Sequence, residues 1–183
     1  MMFYSLDVET ANYDAASICQ IGIGVFENRE LVGTWESLID PGSPFHWSNI
    51  RVHGITEDLV QGAPTFREVY PVLRNLLSGN IVVHHTPFDF HAFRRAFAQN
   101  NLNPINIQWL DSARIVRQTW SQFSKGGYNL SNVANHLGIE FTHHDALEDA
   151  VTAGKIVLEA CRLTDRRVWE WVELFQSLNN KYR

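Results

Sequence analysis

Three short stretches of the chain concentrate acidic and imidazole side chains. The first is Asp7-Val8-Glu9. Alternate side chains of a strand share a face, so Asp7 and Glu9 lie together while Leu6 and Val8 point the other way. Two neighbouring carboxylates repel each other unless a cation lies between them. A solvated strand end is the plainer reading of this pair taken alone. The second stretch is His84-His85-Thr86-Pro87-Phe88-Asp89. Thr86 as N-cap, Pro87 as first helical residue and Asp89 at the third position predict a helix start, with Asp89 also favoured by the helix dipole. Capping accounts for Asp89 but leaves two adjacent histidines over. The third stretch runs from His143 to Asp149 as His-His-Asp-Ala-Leu-Glu-Asp. Asp145 and Glu148 have capping-box spacing, so a helix is expected from Asp145, with His144 in the loop before it. An imidazole beside a carboxylate suits proton transfer near neutral pH. The His144-Asp145 dipeptide also occurs in HD-type metal phosphohydrolases, but that class is all-helical, whereas the first 40 residues here read as strands. Soft-metal binding through the histidine pairs is weaker still, since neither cysteine joins them.

These stretches need elements to hold them. Phe3–Asp7, Ile18–Phe26 and Leu31–Ile39 read as strands, with Glu27–Glu30 as a hairpin turn. Asp40-Pro41-Gly42-Ser43-Pro44 breaks regular structure. Phe66, Val69, Tyr70, Leu73, Leu76 and Leu77 recur at helical spacing until Gly79. Ile81–Val83 is a short, fully apolar strand of the buried kind. Helices are expected over 87–99, 111–120, 129–137 and 146–161, with a strand at Ile107–Leu110. In the helix after Asp145, the apolar stripe Leu147, Val151, Gly154, Leu158, Cys161 leaves Asp149 about 200° from Leu147 and off the buried face. Ala146, Ala150 and Ala153 keep that helix slim enough to lie close to a neighbour. Residues 163–183 read as a terminal helix through Val168, Trp171, Val172 and Phe175, ending in a polar tail. A meander followed by α-β-α units makes an α/β domain with a mixed sheet.

The 183 residues, 45% hydrophobic and 19% charged, suit one domain and exclude a disordered tail. No apolar run approaches the roughly 18 residues that cross a bilayer, and the N-terminus lacks the basic and long apolar regions of a signal peptide. Cys19 and Cys161 stand far apart, which points to a reducing compartment and an expected cytoplasmic location. The net charge of −5 weighs against a nucleic-acid partner. It is unevenly spread, however. Residues 1–60 hold nine acids and two bases, whereas residues 61–130 hold three acids against Arg67, Arg74, Arg94, Arg95, Arg114, Arg117 and Lys125. That basic middle suits a track for a few backbone phosphates.

Asp7-x-Glu9, Phe88-Asp89 after a short strand, and His144-x-Ala146-x-x-Asp149, in this order and spacing, resemble the DEDDh 3′–5′ exonucleases. The likeness is to the proofreading epsilon subunit of bacterial DNA polymerase III and its stand-alone relatives. Glu9-Thr10, Val52-His53-Gly54-Ile55-Thr56, Ala63-Pro64-Thr65-Phe66 and Asn129-Leu130 through Leu137-Gly138-Ile139 extend it over roughly residues 3 to 160. Asp145, not tyrosine, stands four residues before Asp149, which fits the histidine form of the family.

The resemblance implies a ribonuclease H-like mixed sheet, a three-stranded antiparallel meander plus parallel strands, in a domain over residues 1–163 with 164–183 appended. It also implies release of nucleoside 5′-monophosphates from a 3′ end. Asp7, Glu9, Asp89 and Asp149 match the ligands of two divalent cations, Mg²⁺ or Mn²⁺, and His144 matches the general base. Val8, Thr10, His53, Ile55 and Phe88 match positions that hold the terminal nucleotide. His85 stands where the family usually has Asn, at a substrate-binding position that borders the cleft. Single-stranded DNA is the favoured partner, RNA trimmed in the manner of RNase T or oligoribonuclease the rival, and a catalytically silent nucleic-acid-binding module a weaker alternative. A polymerase or other replication or repair protein is a further expected partner. Two bound cations would offset most of the −5.

Overall fold

The computed structural model describes residues 2–181. β1 (Met2–Thr10), β2 (Ile18–Glu27) and β3 (Glu30–Leu38) form the antiparallel meander. Asn28 and Arg29 both take positive φ between β2 and β3, the conformation that matches a two-residue turn to the strand twist. β4 (Ile81–His84) joins β1 in parallel, and β5 (Gln108–Asp111) joins β4, giving the order β3-β2-β1-β4-β5. This is the mixed sheet that the sequence led us to expect.

Alternation along β1 divides the core. Tyr4, Leu6 and Val8 face α2 (Phe66–Leu77) and α3 (Phe88–Gln99), packing with Leu73 and Phe93. Phe3 faces α4 (Ser112–Thr119), α5 (Leu130–Leu137), α6 (Ala146–Thr164) and α7 (Val168–Lys181) with Val83, Ile115, Val157 and Trp171. The last two residues of the expected polar tail lie outside the described ones. One α-helix, α1 (Trp47–His53), had no counterpart in the sequence reading. It buries no residue, so no apolar stripe announces it.

Two local features place the site. The β1–β4 pairing ends at Ser5 and Val83, so the carboxyl ends of these strands diverge, the usual position of a site in such sheets. On the other face, α6 meets β2 backbone to backbone. A Cβ at Gly22 would lie 2.3 Å from the Ala146 carbonyl, and Gly22 is the register partner of Asp7. Further along, the Phe26 ring fills the space that a side chain at Gly154 would need.

Two sequence expectations are corrected. Thr86 is not an N-cap: it has φ 72°, Pro87 takes the cap position without a side-chain hydrogen bond, and α3 begins at Phe88. Asp89 reaches across to β1 instead of capping its own helix. Nor does Asp149 lie off the buried face, since it is only 4% exposed. α6 is enclosed by the sheet and by α4, α5 and α7, so burial extends well beyond one stripe.

Candidate active site

At the end of β1, Asp7 and Glu9 project toward the start of α6. Asp145 caps that helix by accepting from the N–H groups of Leu147 and Glu148, and the first turn delivers Asp149. Carboxylate oxygens of Asp7, Glu9 and Asp149 lie within 4.8 Å of one another. From the opposite side of the sheet comes Asp89, 2% exposed, whose Oδ1 accepts the Val8 N–H at 3.2 Å. That N–H is available because β4 no longer pairs with β1 at this level.

The loop before α6 closes the group. His144, at φ 68°, donates its backbone N–H to Asp149 at 3.1 Å, and its Nδ1 lies 4.0 Å from Glu9 Oε1. His143 places Nδ1 2.9 Å from Asp149 Oδ1 and stacks its ring on His144 with centroids 3.8 Å apart.

The electrostatics follow from putting four carboxyl groups in a small, partly dry space. Burial, then Asp89, Asp149 and Glu9, holds Asp7 well above the usual carboxylate range. Burial followed by the charges of Asp149 and Asp89 pushes Glu9 up to about 8. Asp89 is pushed up to about 8 by burial, against the stabilising Val8 N–H. Burial raises Asp149 as well, opposed by both histidines, and lowers His144, leaving its imidazole neutral near pH 7. Hard oxygen donors that cannot all ionise together fit a divalent cation of the Mg²⁺ or Mn²⁺ kind.

A cleft of about 540 Å³ surrounds these groups. Of the residues expected at the substrate, Val8, Thr10, His53, His85 and Phe88 line it. Ile55 does not. It is buried with Ala11, Cys19 and Val60, and its link to the cleft is an N–H donated to His53 Nδ1 at 3.0 Å. The other nitrogen of His53 contacts the Thr10 carbonyl at 3.1 Å. His85 is held on both nitrogens, by Ser112 Oγ and the Tyr128 carbonyl, each at 2.8 Å. Sequence reasoning missed Asn12, Tyr13, Ser48, Asn49 and Val52, which also line the cleft. Gly54, at the left-handed position that ends α1, was the available signal.

The basic residues do not form one track. Arg94 and Arg95 line a hollow that adjoins the cleft at Tyr13 and Ala15, with Arg95 paired to Asp14 at 3.0 Å. Arg114 and Arg117 lie on the other side of the sheet, over Phe175 and Tyr128. Sequence order hid this because α3 and α4 flank opposite faces.

Residues 5–157 match the family model of the RNase T exonucleases. The chain belongs to this exonuclease family. Its acid-and-histidine arrangement is of the DEDDh type, and the domain is of the 3′–5′ exonuclease class, whose members are generally dependent on divalent metal ions. Among curated relatives, DNA polymerase III subunit epsilon of Pasteurella multocida is 31% identical over 166 residues, covering 84% of this chain and 65% of its own. The PolC-type DNA polymerase III of Pediococcus pentosaceus is 26% identical over 154 residues. The match takes in 82% of this chain and 11% of that polymerase, so the chain corresponds to a small part of such relatives. In fold it is similar to Exonuclease X in complex with 5′ overhanging duplex DNA (TM-score 0.75, 17% identity, 93% of this chain and 98% of that one). It is also similar to the nuclease domain of 3′hExo bound to rAMP (TM-score 0.69, 16% identity, 88% and 92%).

Proposed function

We propose that this DEDDh exonuclease domain removes nucleotides from the 3′ end of single-stranded or frayed DNA, releasing nucleoside 5′-monophosphates. The observation that carries the reading is the convergence of Asp7, Glu9 and Asp149 within 4.8 Å, with the His144 imidazole on their solvent side. Asp7, Glu9, Asp89 and Asp149 would hold two divalent cations, Mg²⁺ or Mn²⁺, which would supply charge neutralisation at the scissile phosphate and at the attacking and leaving oxygens. His144 accepts a proton from the attacking water at its ring nitrogen, a role that its exposure and neutral form suit. Val8 and Thr10 hold the terminal nucleotide from the β1 side, and Phe88 offers an apolar face to its base or sugar. His85, locked by its two partners, orients the cleft wall. His53 fixes the loop that ends α1.

We assign residues 1–163 to the exonuclease domain, with α7 appended through Trp171 and Phe175. The polymerase III relatives support a replication or repair setting with a polymerase as partner, and cytoplasmic location accords with that. No helix among the described residues is long and apolar enough to cross a membrane.

The test compares 3′- and 5′-end-labelled DNA and RNA oligomers with Mg²⁺ or Mn²⁺. Stepwise shortening of 5′-labelled DNA from its 3′ end, with labelled monophosphate from 3′-labelled DNA, is expected. Faster trimming of RNA of the same sequence would reassign the substrate. No metal-dependent shortening of either would overturn the reading.

A further inference from the structure

The hydrolytic scheme leaves His143 without a task, yet this ring makes the shortest side-chain contacts with Asp149. Its Nδ1 lies 2.9 and 3.1 Å from the two carboxylate oxygens. The ring stacks on that of His144, tilted by 22°. One ligand atom from each of His143, His144 and Asp149 falls within a common span of 4.8 Å. Asp149 is fixed in a buried helical turn, whereas the two histidine side chains, 41% and 42% exposed, belong to the turn that precedes it. Small side-chain rotations therefore bring both imidazoles to one ion without disturbing the core.

The chemistry of this set differs from that of the carboxylate cluster. Asp7, Glu9 and Asp149 offer only oxygen, which suits hard cations. Two imidazole nitrogens and one carboxylate suit borderline ions, and three protein ligands with an open fourth position form a tetrahedral zinc environment. Asp149 belongs to both sets. We propose that His143, His144 and Asp149 form a second metal site, selective for Zn²⁺ over Mg²⁺, whose occupancy inhibits hydrolysis. An ion there engages the His144 lone pair that accepts the proton and shares the Asp149 carboxylate. The inhibitory consequence rests on the function proposed above; the binding site does not.

The test begins with metal-stripped protein titrated calorimetrically with Zn²⁺ alone, and with Co²⁺ followed by visible absorption. A first, tightest Zn²⁺ and Co²⁺ bands of a four-coordinate site are expected, with weaker ions taken up by the carboxylates. His143→Asn is expected to weaken Zn²⁺ at least tenfold, a loss on the scale of a disrupted ligand shell, while Mn²⁺ affinity stays within about twofold. Asp7→Asn should do the reverse, because Asp7 is outside the nitrogen-bearing set. Zn²⁺ inhibition of Mn²⁺-supported hydrolysis should weaken in His143→Asn by the same factor as binding. Unchanged Zn²⁺ affinity in His143→Asn, or an equal loss in Asp7→Asn, would overturn the site. A chain that binds Zn²⁺ as described but never shortens an oligomer would leave the site standing and overturn the hydrolytic reading.

Discussion

The wall that carries Asp7, Glu9 and Asp149 and the rim that carries Tyr13, His53, Phe88 and His144 enclose one cleft but are built differently. The wall rests on a paired strand and a long helix that touch backbone to backbone at Gly22 and Ala146. Its acids are largely withdrawn from water and pay for that in raised pKa. The rim is made of loops, a short helix with nothing buried, and exposed rings, Tyr13 at 78% and Phe88 at 47%. A reaction that needs groups fixed to a fraction of an ångström is served by the wall. Ends of differing sequence are served by the rim, which can adjust.

If that division is right, damage to the wall should exceed damage to the rim. Asp149→Ala removes an oxygen donor and the anchor of both histidines. It should lower kcat by about 10⁴-fold or more, ~5 kcal/mol of transition-state stabilisation, with the circular dichroism spectrum retained. Metal-dependent activity near the native level in that purified variant would sink the assignment. His144→Ala tests the one rim residue given a chemical role. Turnover should fall roughly 10²–10³-fold, and the limb of the pH–rate profile near neutrality should vanish. An unchanged profile would assign the proton to another group.

Gly22→Ala attacks the wall without touching a functional group. The added methyl meets the Ala146 backbone, which cannot rotate away, so α6 must shift from β2. We expect a loss of about 1–3 kcal/mol in stability by denaturant unfolding. Turnover should fall roughly tenfold to a hundredfold as Asp149 moves from Asp7. Native turnover would show that the wall tolerates displacement. On the rim, Phe88→Ala should raise KM about fivefold, ~1 kcal/mol, and leave kcat within about twofold in steady-state assays. A larger effect on kcat than on KM would erase the distinction between the two regions.

The same division explains what could be read in the sequence. Strand alternation put Asp7 and Glu9 on one face, and the alanines near Asp145 announced a closely packed helix. Those signals are local and periodic, and they belong to buried elements. Gly22 carried no such signal, because its meaning lies in a contact 124 residues along the chain. Asp89 read as a helix-capping residue since its true partner, the Val8 N–H, is released only where β1 and β4 diverge. α1 escaped notice for want of a buried face, and with it went Ser48, Asn49 and Val52. Arg94 and Arg114 looked like neighbours in a basic segment until the sheet came between their helices.

The smallest effect separates wall from rim without any substrate. In the folded state burial and mutual repulsion hold Glu9 and Asp89 at about 8 and raise Asp7 and Asp149, against about 4 in the unfolded chain. The folded state therefore binds more protons than the unfolded one between these values, and stability falls as pH rises through them. The histidines act in the opposite sense. Burial lowers His53, His84, His85 and His144, so their contribution is present above the unfolded value near 6.5 and is lost as pH falls below it. Above about pH 7 only the wall still contributes a slope. In EDTA, Tm measured by scanning calorimetry should drop by about 5 °C between pH 7 and 8.5. Mn²⁺ should flatten the curve by binding the ionised carboxylates, and Asp7→Asn should flatten it without metal by removing one of the groups whose folded-state value is raised. A Tm that stays level over this interval in EDTA would mean that the acids ionise freely in the folded state, and the wall would then be no more strained than the rim.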